Sequence, residues 1–248
     1  MAGTWSVARR ELLSLWVTPL AWSLMTAFCL INGSAFVATL NSLSSFLAGG
    51  IDVGPIQAFY GQSIFVPLGY LLLCPLLTMR SLAEERRSGT AELLLGSPLS
   101  ATQIVVGKYL ALALTYVAMW LPTLAYPIIL RDTGSVEWPV VFSSYAGVLG
   151  LGLSFVSIGV LASAVTRNQL VAALLTGTLI FAFILCELGK LNYPGGLLSE
   201  LFDQLSIASH LADFALGVVR LRRIVYVVSL TILPLFLAVR AVEAWRDG

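Results

Sequence analysis

The sequence predicts an all-α membrane protein with six transmembrane helices, and three observations carry the prediction. The chain is 58% hydrophobic and only 11% charged, with a mean hydropathy of +0.91. A soluble domain is about 25% charged and uses that polar surface to stay in water. Six apolar runs, at 20–40, 56–79, 107–130, 140–165, 169–187 and 224–240, are long enough to cross a bilayer, which takes roughly 20 residues at about 1.5 Å each. The charges are gathered in the connections, where they avoid the cost of about 2.5–3.5 kcal/mol met at the bilayer centre.

The opening MAGTWSVARRELLSLW lacks the layout of a cleavable signal, because its charges follow the first apolar residues and a full-length run comes next. Trp5, Ala8, Leu12 and Leu15 recur at helical spacing, while Ser6, Arg9, Arg10 and Ser14 fall largely elsewhere. Residues 1–17 are therefore expected to form an amphipathic helix in the membrane interface, until Pro19 turns the chain into the bilayer. The alternative is a helix docked on a partner protein.

The connection after the second run, 80–106, holds five charges close together: Glu84, Glu85, Arg86, Arg87 and Glu92. They cannot lie in lipid, so the segment is wet or bound to protein. A helix through Met79–Arg87 is expected to extend the second span until Ser88-Gly89 breaks it. TAELLLG then reads as a short amphipathic turn, with Leu93, Leu94 and Leu95 beside Glu92 as a knob that needs a groove. Ser97 before Pro98, or the capping box Ser100-x-x-Gln103, restarts a helix.

In the fourth run Ala146, Gly150 and Ser154 stack every fourth residue, and Gly159 and Ser163 continue nearby. Such rows let helices approach closely, either across a dimer or within one protomer. The connection 188–223 opens with the turn chemistry of NYPGG. Leu197, Leu198, Leu201, Leu205, Ala208, Leu211 and Phe214 then form a helical stripe with acids opposite, which predicts one or two short outer-leaflet helices.

Orientation follows the Lys/Arg bias. One side holds Arg9, Arg10, Arg80, Arg86, Arg87, Lys108, Arg167, Arg240 and Arg246, and the other Arg131, Lys190, Arg220, Arg222 and Arg223, nine against five. Both termini and the 80–106 loop are thus expected in the cytoplasm, with the chain in the inner membrane. A net charge of +1 argues against nucleic acid. Cys29, Cys74 and Cys186 lie in apolar runs without metal-ligand spacing, and the lone His210 has no companion ligand, so no metal site is expected.

The loop reads P-x-x-T-M-R-S-x-A-E-E-R-R-S-G-T-x-E-L-L-L-x-S-P-L-S … V-x-G-K, carried here by Pro75, Thr78–Ser81, Ala83–Arg86, Gly89, Thr90, Glu92, Leu93, Leu94, Pro98, Gly107 and Lys108. It resembles the loop after the second span of ABC-2-type transporter permeases. A second run, with Ser206, His210, Phe214, Gly217, Val218, Arg222, Ile224, Tyr226 and Ser229, resembles the lead-in to the last span in the branch of the gliding-motility and nitrous-oxide-reductase-maturation permeases. The chain departs from that branch at Leu221 and Arg223, which leave Arg220, Arg222 and Arg223 as a cluster, a candidate outer-surface contact for an anion.

The resemblance implies one transmembrane domain over 1–248 that dimerises with a second copy or a paralogue. It implies a cytoplasmic coupling helix seated in a cleft of a separate ABC ATPase, two copies per dimer, with ATP and magnesium bound there. Glu84, Glu85, Arg86 and Arg87 would make rim salt bridges, Gly89 and Thr90 would shape the turn, and Glu92, Leu93 and Leu94 would be the inserted knob. Membrane lipid and an extracytoplasmic or auxiliary protein complete the expected partners.

The chain has no motor of its own by motif. A P-loop needs G-x-x-x-x-G-K-[ST] to cradle phosphate. At the pairs Gly107-Lys108 and Gly189-Lys190 the first glycine is replaced by Thr102 and Ile184, and Tyr109 and Leu191 follow the lysines. Glu84-Glu85 also begins the E-E-x-x-x-R signature of an intramembrane protease family, but Gly89 stands where its arginine belongs and one histidine cannot supply its ligands. No cofactor is expected in this chain. The reading is therefore a permease subunit of an ATP-driven exporter. Its rival is a force-transmitting subunit that pulls on an extracytoplasmic partner and moves no substrate.

Overall fold

The computed structural model describes residues 2–48, 54–90, 99–131, 136–192 and 195–245. Every regular element among them is helical. Helix α1 (Ala2–Val17) leads into α2 (Pro19–Ala48). A short turn α3 (Pro55–Gln57) and a wide turn at Ala58–Gln62 precede α4 (Phe65–Thr78), and α5 (Ala83–Ser88) follows. Next come α6 (Ala101–Trp120), a tight turn at Leu121–Leu124, α7 (Ala125–Arg131), α8 (Trp138–Val165) and α9 (Gln169–Asn192). The chain closes with α10 (Leu197–Leu205), α11 (Ile207–Ala215) and α12 (Leu221–Ala244). Six segments are long and apolar enough to span a membrane: Pro19–Leu43, Phe65–Ser88, Ala101–Arg131, Trp138–Val165, Gln169–Lys190 and Leu221–Ala244.

The fourth span, α8, is the axis of the bundle. Buried residues make up 72% of its most apolar stretch, against 22%, 17% and 11% in the first, fifth and sixth spans, which therefore form the rim. Its small residues let neighbours approach. Gly147 lies under Phe214 of α11, Gly150 under Val227 of α12, and Gly159 under Thr78 at the end of α4. Ser154 donates to the Val227 carbonyl (3.0 Å) and Ser157 to that of Leu230 (3.2 Å). Of the predicted row, Gly150, Ser154, Gly159 and Ser163 thus pack the protomer, whereas Ala146 is exposed.

The N-terminal helix lies along α6. Gly107 is what permits the contact, since a Cβ there would sit 2.9 Å from the Thr4 carbonyl and Val7. Trp5, Leu13 and Val17 on the other side are exposed.

Three helix boundaries differ from the hydropathy pattern. The second span begins at Phe65, because Pro55 starts a separate turn and Ser63 is extended. Gly61 seats that turn on α11, with an added Cβ only 2.8 Å from Ala215. The third span begins at Ala101, where Ser100 closes the anticipated capping box with Gln103 (3.2 and 3.0 Å), and it tightens at Pro122. The helix expected to run unbroken through Met79–Arg87 instead stops at Thr78, turns over 79–82 and resumes as α5. A continuous helix would send the amides of Leu82 and Ala83 to carbonyls four residues back. Here both donate to Ser163 Oγ at 2.9 Å.

The 188–223 connection forms two short helices, as its stripe suggests, and they part ways at Ser206. On α10, Leu197, Leu198, Leu201 and Leu205 are exposed, whereas Leu211 and Phe214 on α11 are buried against the bundle.

Candidate functional site

The elbow between the second and third spans is built from residues distant in sequence. Ser163 Oγ accepts from the Leu82 and Ala83 amides and donates to the Met79 carbonyl (3.3 Å), so one hydroxyl of α8 pins the whole turn. Glu85 points inward from α5. Its Oε1 lies 2.9 Å from Lys108 Nζ, and the same ammonium holds Glu11 Oε1 at 2.9 Å. Lys108 is 2% exposed, so this is a nearly buried carboxylate–ammonium–carboxylate cluster joining α5, α6 and α1. Arg10 adds contacts of 3.3 Å to Glu11 and 3.9 Å to Glu85.

Arg86 also turns back onto the chain. Its guanidinium donates to the carbonyls of Ala164 (3.3 Å) and Val165 (3.2 Å), where the end of α8 carries partial negative charge. It stacks 4.8 Å over the Trp245 ring beyond the end of α12. The elbow is thus fastened to α1, α6, α8 and the end of α12.

The remaining residues face outward. Glu84, Arg87, Gly89 and Thr90 are exposed. Gly89 ends α5 at φ +73°, a left-handed conformation that glycine adopts without the Cβ penalty. The Ser88 hydroxyl donates to the Glu84 carbonyl (2.8 Å) and lies 2.8 Å from Thr90 Oγ1. Glu92, Leu93 and Leu94 lie outside the described residues. Of the charges expected on a partner-facing rim, Glu85 and Arg86 are engaged within the chain, and Glu84 and Arg87 make no ion pair among the described residues. The roles of Lys108 and Ser163 were not foreseen. The Gly107-Lys108 pair was the available signal for the first, and nothing near the elbow signals the second.

At the far end of the bundle the arginine cluster divides. Arg223 is 7% exposed. Its Nε donates to Asp213 Oδ2 (2.9 Å), and its other nitrogens reach Asp203 Oδ2 and the Asp203 carbonyl (both 3.3 Å). Arg220, on the surface, shares Asp213 at 3.3 Å. Arg222 is exposed and, among the described residues, unpaired. Lys190 at the end of α9 donates to Asp203 (2.8 Å) and Ser209 (3.0 Å), and Ser206 donates a short hydrogen bond to Glu187. Partial burial alone would raise the Asp203 carboxyl. The hydrogen bonds from Lys190 and Ser209 and the charges of Lys190 and Arg223 outweigh it and hold the group at about 2. The cap formed by α10 and α11 is therefore riveted to the ends of α9 and α12.

His210 sits inside this cap, 1% exposed. Its Nδ1–H donates to the Ser206 carbonyl (2.8 Å), and its Nε2 faces the Arg223 guanidinium at 3.4 Å and its ring lies 4.3 Å from that of Tyr226. Burial, with help from Arg223, lowers its pKa to about 4; the Ser206 hydrogen bond and the charges of Asp203 and Asp213 oppose this. A detached histidine titrates near 6.5. Between these values the detached cap binds more protons than the docked one. The contribution is thus complete above about pH 6.5, falls as pH drops toward 4, and totals on the order of 3 kcal/mol. Asp203 stays ionised through this window. Amide hydrogen exchange over 197–215, corrected for intrinsic rates, is expected to speed up between pH 7.5 and 5, and His210→Phe to flatten that dependence.

No curated protein matches the chain. Among family models, however, there is a match. The one for the ABC-2 family transporter proteins matches residues 55–189, which is more than half of the chain and takes in the elbow and the second to fifth spans, and the protein belongs to this family.

Proposed function

We propose that the chain is the membrane-embedded permease subunit of an ATP-driven exporter, and that its elbow is where a separate ABC ATPase grips it. The observation that carries this reading is the division of labour at the elbow. Ser163, Glu85–Lys108–Glu11 and Arg86 fasten its inner side to four helices, while Glu84, Arg87, Gly89 and Thr90 face outward. A lever needs both properties: a firm root in the bundle and a free face for the motor. Two such subunits pair with two ATPases, which bind ATP and magnesium, and the chain itself is not catalytic. Glu92, Leu93 and Leu94 are the knob that enters the ATPase cleft. Truncating an anchor of this kind costs about 2–4 kcal/mol of binding. The Lys/Arg bias supports a cytoplasmic elbow and cytoplasmic termini, with the chain in the inner membrane. The resemblance of residues 206–229 supports a kinship with the gliding-motility and nitrous-oxide-reductase-maturation permeases.

A second reading, force transmission to an extracytoplasmic protein, is favoured by the exposed leucine face of α10 on a cap bolted to α9 and α12 by ion pairs.

Charge reversal of the free rim tests the first reading. Glu84→Lys with Arg87→Glu is expected to reduce recovery of the ATPase in co-purification at least tenfold, while the permease keeps its melting temperature. Full recovery of the complex would overturn the assignment.

A further inference from the structure

A cavity of about 260 Å³ opens beside the elbow, between the end of α1, the start of α2, the last turn of α4 with the turn after it, and the middle of α6. Its level is that of a membrane interface, since it gathers the end of α1, the start of α2 and the end of α4 beside the charged elbow. Trp16 and Trp22 also pack edge to face across the α1–α2 bend, with Trp22 exposed, as aromatic side chains do at the headgroup level. The floor is apolar, with Leu15, Leu77 and Leu112.

The polar groups on its walls fall into two sets. Glu11 and Lys108 are already committed to each other and to Glu85 and Arg10. Arg80, Ser81 and Glu84 are not. Arg80 and Glu84 are exposed and make no ion pair among the described residues. Ser81 is 8% exposed, yet its Oγ is buried without a hydrogen-bond partner among the described residues. A buried hydroxyl left unpaired costs about 1–3 kcal/mol, so its presence in a cavity wall points to a ligand atom that completes it.

The three free groups match one chemistry. A guanidinium with an adjacent hydroxyl suits a phosphate. A carboxylate beside them repels a purely anionic ligand and suits an ammonium. An apolar floor at interface depth suits acyl chains. From this juxtaposition we infer that the cavity holds the headgroup of a zwitterionic phospholipid of the phosphatidylethanolamine class, with its phosphate on Arg80 and Ser81 and its ammonium on Glu84. Such a lipid fills the space between α1 and the elbow and ties the elbow to the leaflet on its own side. The inference shares Glu84 with the ATPase reading but is tested apart from it, because its readout is lipid retention by the permease alone and its key variant is at Arg80.

Native mass spectrometry of the full chain in detergent, with phosphatidylethanolamine, phosphatidylglycerol and phosphatidylcholine each added in turn, tests it. Phosphatidylethanolamine is expected to be retained best. Arg80→Gln is expected to weaken its retention at least tenfold, and Glu84→Gln to erase the preference over phosphatidylglycerol. Arg131→Gln, at the other end of the bundle, should change neither. Both test positions are exposed, so folding is not at stake. Equal retention of phosphatidylglycerol by the unaltered chain, or unchanged retention by Arg80→Gln, would overturn the inference. So would displacement of the lipid by an equal concentration of glycerophosphoethanolamine, which would make the ligand a soluble headgroup.

Discussion

Ser163→Ala is expected to destabilise the protein by about 2–6 kcal/mol and to loosen the elbow selectively. The substitution removes the acceptor of two buried amides, Leu82 and Ala83, and each buried donor left unsatisfied costs about 1–3 kcal/mol. The methyl group fills almost the same space, so packing contributes little. Hydrogen exchange should therefore rise across 79–90 more than elsewhere. Ser157→Ala provides the contrast. That hydroxyl donates to Leu230 on the face of α8 toward α12, and its loss strands only acceptors, at about 1 kcal/mol and with no effect on the elbow. If the elbow is the lever of an ATP-driven machine, Ser163→Ala also uncouples it: the ATPase still binds, and hydrolysis no longer responds to the permease.

Lys108→Met should be the most damaging single change at this end of the molecule. It leaves Glu11 and Glu85 facing each other with no counter-charge except Arg10, whose guanidinium lies 3.9 Å from Glu85 and is itself exposed. Removing one partner from a buried ion cluster costs about 3–5 kcal/mol, whereas replacing the whole cluster by neutral groups is often tolerated. The triple change Glu11→Gln, Glu85→Gln, Lys108→Met is accordingly expected to recover most of the stability in a thermal melt. A triple variant as unstable as Lys108→Met alone would show that the stranded carboxylates are not the source of the loss and would contradict the charge account.

What could be read from the sequence divides along physical lines. The six spans were legible because bilayer thickness imposes length and apolarity on each separately. The Ser100 capping box and the stop at Gly89 were legible because both are local chemistry. The break at 79–82 was not, since its cause, Ser163, lies about 80 residues away and competes with helix geometry only once α8 is in place. Lys108 counted as one more positive charge near a span end. Only the fold shows it drawn between Glu11 from one side and Glu85 from the other. Arg220, Arg222 and Arg223 read as a basic patch because their neutralising acids, Asp203 and Asp213, belong to the preceding helices. The small residues of α8 signalled close packing correctly, and their partners within the protomer emerged with the bundle.

The central claim is that a nucleotide-hydrolysing subunit grips the face of the elbow carrying Thr90. A photoreactive residue placed at Thr90, exposed at the elbow, or at Leu216, exposed beyond α11 at the opposite end, tests it in intact membranes. The account predicts an ATPase cross-linked at Thr90 and none at Leu216. Capture from Leu216, or no nucleotide-binding protein at Thr90, would contradict it.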